Sequence, residues 1–202
     1  MTDVLPDTAD GIARAAELLR AGEVVAFPTD TVYGVGVAAS RSDRLPALFA
    51  LKRRPVDRRI PMLVAGLDQA EAAGWEADAR ARALAARFWP GALTIVLPGQ
   101  AGTQAFRAPD HPTALALIAA AGPILATSAN LSDEPDTLGA DEVLIAFATQ
   151  QDELVAVVDG GAVPGGVASS VVDLSAEPAR MLRDGPVSRE ALAEIIEVAD
   201  PG

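Results

Sequence analysis

Apolar residues recur at helical spacing through TADGIARAAELLRAG (residues 8–22), with Asp10 a candidate cap and Gly22 a stop. EVVAFP then reads as a short buried strand closed by Pro28, and PTDTVYGVGVAA as a glycine-punctuated loop. RSDRLPALFALKRR has helical spacing, with Ser42 or Asp43 as cap and Pro46 in the first turn. IPMLVAG predicts a strand, and DQAEAAG and EADARARALAARFW predict helices, the second stopped by Pro90-Gly91. ALTIVLP and QAFRAP follow as strands, HPTALALIAAAG as a helix, ILATSAN as a strand entering a turn, and GADEVLIAFATQ as a helix. ELVAVVDGG, ASSVVDLS and PARMLRDG predict three late strands before a last helix capped by Ser188, with Glu190 in its first turn.

Helices and strands alternate early, and strands cluster late. That order predicts an α/β protein with an open, twisted, mixed sheet and flanking helices. No linker-like segment divides the chain, so residues 1–202 are expected to form one domain, with DGGAVPGG as an internal loop. Disorder is expected at the tips alone, Met1–Asp7 and Ala199–Gly202.

Composition narrows the chemistry. Half of the 202 residues are hydrophobic but 4% are aromatic, so the core is built from Ala, Val, Leu and Ile. With no cysteine and one histidine, His111, thiolate and histidine-rich metal sites are excluded. No signal peptide or membrane-length apolar run is evident, and a soluble cytoplasmic protein is the expectation. A net charge of −12 argues against a broad nucleic-acid face. It leaves room for a small anion in a locally basic cleft, because five of the sixteen cations lie within residues 52–59. Lys52 is the sole lysine, in a chain that otherwise writes positive charge as arginine. Its retention suggests that the position needs a compact ammonium rather than a planar fork.

Polar residues gather at strand ends in four places, where open α/β sheets bind ligands. PTDTVYG offers Thr29, Asp30, Thr31 and Tyr33. LKRRP offers Lys52 and Arg54. TSAN places Ser128 and Asn130 two apart, on one face of an extended segment. GGVASSVVD with MLRDG offers Ser169, Ser170 and Arg183. No Walker motif, Rossmann fingerprint or G-x-S-x-G elbow occurs, and His111 sits between prolines in APDHP, as in a structural turn. Lysine, arginine, serine and asparagine without an acid–base constellation suit catalysis by positioning and charge stabilisation, as in phosphoryl or nucleotidyl transfer.

With those segments in order, GEVVAFPTDTVYGVG, LKRRP before PML, FWPGALTIVL, FRAPDHP, GPILATSANLS, and GGVASSVVDLS before MLRDGPVS, the chain resembles the YrdC-like family of threonylcarbamoyl-adenylate synthases, in its short single-domain form. The resemblance implies a large basic cavity. It also implies a reaction joining L-threonine, bicarbonate or CO2 and ATP into threonylcarbamoyl-AMP and pyrophosphate, with Mg²⁺ accompanying ATP. A partner complex would then transfer the threonylcarbamoyl group to tRNA, so this chain's own contact with tRNA would be weak or indirect. By motif, Lys52 and Arg54 (K-x-R) are the implied catalytic pair, and they contact ATP together with Ser128, Asn130, Ser169 and Arg183. Thr31, Tyr33, Arg107 and Ser170 are implied at the threonine site, and Asp30 is a candidate metal ligand. The chain departs from the family pattern at PGALT, at Asp133 after Ser132, at Ser170 in the Ser-Thr pair and at Asp184 after Arg183. The alternative is a divergent paralogue that binds nucleotide or RNA, or passes carbamoyl to another acceptor.

Overall fold

The computed structural model describes residues 1–53, 60–132, 134–150, 153–165 and 167–199. Its first strand, β1 (Asp3–Pro6), lies where a disordered tip was expected. DVLP is too short and too exposed to announce itself; its partner makes it a strand, through parallel pairing of Asp3–Pro6 with Ala156–Asp159. Helix α1 (Ala9–Ala21) is capped by Thr8, whose hydroxyl accepts from the Gly11 amide, and Asp10 sits in the first turn rather than at the cap. Such a cap contributes about 1 kcal/mol. Gly22 ends α1 at φ 94°, a left-handed conformation that glycine adopts at little cost.

Strand β2 (Val24–Pro28) is buried throughout and turns at residues 29–32 into the antiparallel β3 (Tyr33–Ala38). β3 corrects the expected loop. Its glycines alternate with Tyr33, Val35 and Val37, so the segment has strand period after all. A Cβ on Gly36 would lie 2.4 Å from the Leu125 carbonyl oxygen, so glycine is what lets β3 approach its neighbour. A 3-10 turn (Ala39–Arg44) precedes α2 (Leu45–Lys52), and neither Ser42 nor Asp43 caps it. β4 (Met62–Leu63) is the short remnant of the strand expected over IPMLVAG.

The other elements follow the sequence pattern: α3 (Leu67–Ala72), α4 (Ala79–Phe88), β5 (Leu93–Gly99), β6 (Gly102–Arg107), α5 (Pro112–Ala121), β7 (Ile124–Ser128), α6 (Ala140–Ala146), β8 (Leu154–Asp159), β9 (Ser170–Asp173), β10 (Arg180–Arg183) and α7 (Arg189–Ala193). Ser188 caps α7 as expected, accepting from the Ala191 amide. The strands form one open mixed sheet in the order β1-β8-β2-β3-β7-β4-β6-β5-β9-β10.

Three apolar clusters hold it. One joins α1 and α5 to β2, β7 and β8 through Leu19, Phe27, Leu117 and Val158. A second, on the other face, holds Tyr33, Val35, Leu48, Leu51 and Phe147. The third supports the far half of the sheet with Leu93, Ile95, Leu97, Phe106 and Val172. Because side chains alternate along a strand, Thr94, Ala105 and Val171 point away from that third cluster, and all three line a cavity. The cavity is therefore built by sheet pleat, not by loops alone.

Candidate functional site

The cavity holds about 400 Å³, within the range of small-molecule sites. Thr29, Thr31, Gly34, Thr94, Arg107, Ser128, Asp136, Ser169 and Arg183 contribute to its wall. Its polar groups fall into three corners.

In the first corner the tight turn after β2 carries Thr29, Asp30 and Thr31. Thr29 Oγ1 donates to the Val32 carbonyl at 2.6 Å and accepts from the Thr31 and Val32 amides, which fixes the turn. Arg107, at the end of β6 and 8% exposed, reaches across to it. Its guanidinium donates to Asp30 Oδ1 at 2.7 Å, Thr31 Oγ1 at 3.0 Å and the Gly91 carbonyl at 3.0 Å. The Gly91 amide in turn donates to the Ala108 carbonyl at 2.8 Å, so WPG and FRAP clasp each other. Asp30 is thus a partner of Arg107, and its carboxylate does not line the cavity.

The second corner joins β5, β9 and β10. Thr94 and Ser169, both buried, share a hydrogen bond of 2.8 Å. Arg183, at the exposed rim, donates to the Ser169 hydroxyl at 3.0 Å and to its carbonyl at 2.8 Å. Partial burial lowers the Arg183 pKa from its ordinary value, the nearby charge of Arg107 lowers it further, and Asp136 opposes both. Two guanidiniums that repel each other across a cavity favour an anion between them.

The third corner is Ser128, which lines the cavity and is bonded at its edge to Lys52, the last residue of α2 and 3% exposed. The Lys52 ammonium donates to the Ser128 carbonyl and, at 3.2 Å, to Asn130 Oδ1. Ser128 Oγ donates to the same Asn130 oxygen at 2.6 Å. The Lys52 carbonyl accepts from the Ser132 amide and hydroxyl. The sole lysine and the S-x-N segment, 76 residues apart, therefore meet at one point.

Arg107, Thr31, Ser128, Ser169 and Arg183 thus share one cavity, and Lys52 and Asn130 brace its edge. Tyr33 and Ser170 point elsewhere. Tyr33 lies in the second apolar cluster, its hydroxyl donating to the Gly161 carbonyl at 2.7 Å and accepting from the Gly160 amide. Burial raises its pKa. Ser170, fully buried, exchanges hydrogen bonds with the Val187 backbone at 2.7 and 2.9 Å. Asp184 is exposed and outside the cavity lining. Arg54 and Asp133 lie outside the described residues.

Three polar residues of the cavity wall, Thr94, Thr127 and Asp136, were not candidates in the sequence. Thr94 had a signal, being the one polar position in the buried run LTIVL. Asp136, in a polar turn, had none. Among the described residues no cluster of three His, Cys, Asp or Glu side chains exists to hold a metal, and Asp136 is the one carboxylate lining the cavity. Among them, too, no helix is long and apolar enough to cross a membrane.

The family profile Sua5_yciO_yrdC, described as "Telomere recombination", matches residues 17–185. A threonylcarbamoyl-AMP synthase of Bacillus subtilis is 41% identical, over 97% of this chain and 59% of that protein. One from Pyrococcus abyssi is 38% identical, over 90% of this chain and 56% of that protein. The chain thus spans rather less than two thirds of the length of these relatives. The crystal structure of P. abyssi Sua5 complexed with L-threonine superposes with a TM-score of 0.88 at 34% identity, covering 98% of this chain and 62% of that one.

Proposed function

The chain belongs to the Sua5/YciO/YrdC family, and from that premise we propose that it is a threonylcarbamoyl-AMP synthase. Its substrates are L-threonine, bicarbonate or CO2, and ATP. The observation that carries this proposal is the convergence of Lys52 with Ser128 and Asn130 at the edge of a cavity that also presents Arg107 and Arg183. The names of the relatives, and the threonine complex of the P. abyssi protein, support the substrate assignment.

The chemistry proceeds in two steps. The threonine amine attacks the carbon of bicarbonate or CO2; an N-carboxylate forms, with water leaving in the bicarbonate case and a proton leaving in the CO2 case. A carbamate oxygen then attacks the α-phosphorus of ATP, the bond to the β-phosphate oxygen breaks, and pyrophosphate departs. Negative charge shifts onto non-bridging and leaving oxygens. Fixed cations in a partly water-excluded cavity stabilise it without reorganising. In this reading Lys52 and Arg183 hold phosphate oxygens, with Arg54 two residues beyond Lys52 in sequence. Arg107, oriented by Asp30 and Thr31, takes the amino-acid carboxylate or carbamate. In this reading the metal accompanies the nucleotide as MgATP, and Asp30 serves as the counter-charge of Arg107. The product passes to a separate tRNA-modifying complex in the cytoplasm. Contact of this acidic chain with tRNA is weak or indirect.

Pyrophosphate release from ATP, with L-threonine and bicarbonate omitted in turn, tests the assignment. Release that needs both is the expected result. ATP turnover indifferent to threonine would sink it.

A further inference from the structure

Thr94, not picked out by any motif, is the least exposed polar residue of the described cavity wall, at 3%. Its hydroxyl meets Ser169 Oγ at 2.8 Å and has no other side-chain partner among the described residues. Counting donors and lone pairs fixes what this contact does. A hydroxyl offers one proton and two lone pairs, while a guanidinium only donates. Arg183 donates to Ser169 Oγ at 3.0 Å and so fills one serine lone pair. If Thr94 donates to the second, both serine lone pairs are occupied and the serine proton has one place left to go, the cavity. If Ser169 donated to Thr94 instead, the threonine proton would face the cavity in its place; the bond from Arg183 to Ser169 Oγ polarises the serine O–H and favours the serine as the donor to an anion.

We propose that Thr94 is a positioning residue that turns the Ser169 hydroxyl proton into the cavity, where it and Arg183 together hold one oxyanion of the substrates. The Ser169 O–H and the Arg183 guanidinium then form a donor pair for a phosphate or carboxylate oxygen. Thr94 touches no substrate itself; it acts through Ser169. Its place on β5 suits this role. Leu93 and Ile95 anchor the strand in the apolar cluster behind it, and β5 is paired on both sides, with β6 and β9, which holds the threonine still.

The inference deepens the synthase assignment and rests on it for the identity of the oxyanion, but not for the geometry. Its test is calorimetric titration of the whole protein with ATP and, separately, with L-threonine. Wild type, Thr94→Val, Thr94→Ser, Ser169→Ala and the Thr94→Val/Ser169→Ala double variant are compared. Valine keeps the shape and removes the donor, and suits a buried strand. Loss of one hydrogen bond to a charged acceptor weakens binding by about 10-fold. We expect Thr94→Val to lose about that factor in one arm. An ATP effect identifies the oxyanion as a phosphate, a threonine effect as a carboxylate. Thr94→Ser should restore binding to within about 2-fold, and Thr94→Val should add almost nothing in the Ser169→Ala background. A structural defect would not produce that non-additivity, and thermal melts of each variant monitor the fold. Wild-type affinity in Thr94→Val in both arms, failure of serine to rescue, or fully additive losses would each overturn the proposal. Failure of the synthase assignment reads differently: wild-type pyrophosphate release would not depend on threonine, while the comparison among the binding constants would still stand or fall by itself.

Discussion

Replacing Asp30 with Asn should make the protein less stable and its cavity a better anion trap. Asp30 and Arg107 are 2.7 Å apart, with side chains 16% and 9% exposed, so the pair is nearly dry. Breaking a fully buried pair costs about 3–5 kcal/mol. Asparagine retains an acceptor for Arg107, and the guanidinium keeps its bonds to Thr31 and Gly91. The loss then approaches that of the charge-assisted part of one hydrogen bond, about 2 kcal/mol. For a chain of this size that lowers Tm by about 4–8 °C. Meanwhile Arg107 loses its neutralising partner, and its charge acts on whatever occupies the cavity. Even at the water limit, unit charges about 4 Å apart interact by about 1 kcal/mol, which tightens anion binding about fivefold. Differential scanning calorimetry reads the first quantity. Titration with ATP, once with Mg²⁺ and once with a chelator, reads the second. Were Asp30 a metal ligand, the substitution would weaken binding with Mg²⁺ and leave metal-free binding alone. That result, or an unchanged Tm, would refute the account of Asp30 as the counter-charge of Arg107.

Two other expectations follow from buried groups. Lys52→Arg keeps the charge but puts a larger, planar group where the ammonium is 3% exposed and held by Ser128 and Asn130; pyrophosphate release should fall by at least about 10-fold, and full activity would show that position 52 needs only charge. His111, whose Nδ1 is buried without a partner among the described residues, is pushed below its usual 6.5 by burial, against the opposing pull of Asp7, Asp30 and Asp110. Below that value the unfolded chain binds a proton that the folded chain resists, so folding stability should decline as pH falls from 6.5; His111→Gln should flatten that segment of a Tm-against-pH curve, and an unchanged slope would count against it.

Much of the fold was legible because its elements obey their own periods. Strands such as VVAFP and LVAVVD are apolar runs bounded by turn formers, and α1 announces itself through spacing and Gly22. β1 was not legible, since its pairing with β8 is a contact over 150 residues that no local pattern encodes. β3 was not legible as a strand because glycine signals a loop locally, although Gly34 and Gly36 alternate with large residues. Gly34 now lines the cavity and Gly36 admits the neighbouring strand. Of the residues picked by motif, some face the cavity and others do not. Ser169 and Ser170 are adjacent at the start of one strand, so the pleat sends one hydroxyl to Thr94 and Arg183 and the other to Val187. The same rule separates cavity-lining Gly34 from Tyr33, which packs in the core behind it.

A net charge of −12 does not contradict the proposed binding of anions once the range of each force is considered. At physiological salt, charges more than about 8 Å apart are largely screened, so the acidic surface does little to a ligand already inside the cavity. There the local count decides. Arg107 and Arg183 face the cavity, Asp136 is the one carboxylate among the described wall residues, and Asp30 is taken up in orienting Arg107. Orientation is the larger gain. Arg107 is gripped by three partners and Arg183 by two atoms of Ser169, so neither side chain must give up much rotamer freedom when substrate enters. For a reaction whose transition state differs from its substrates mainly in where oxygen charge lies, cations fixed in advance are worth more than cations in number.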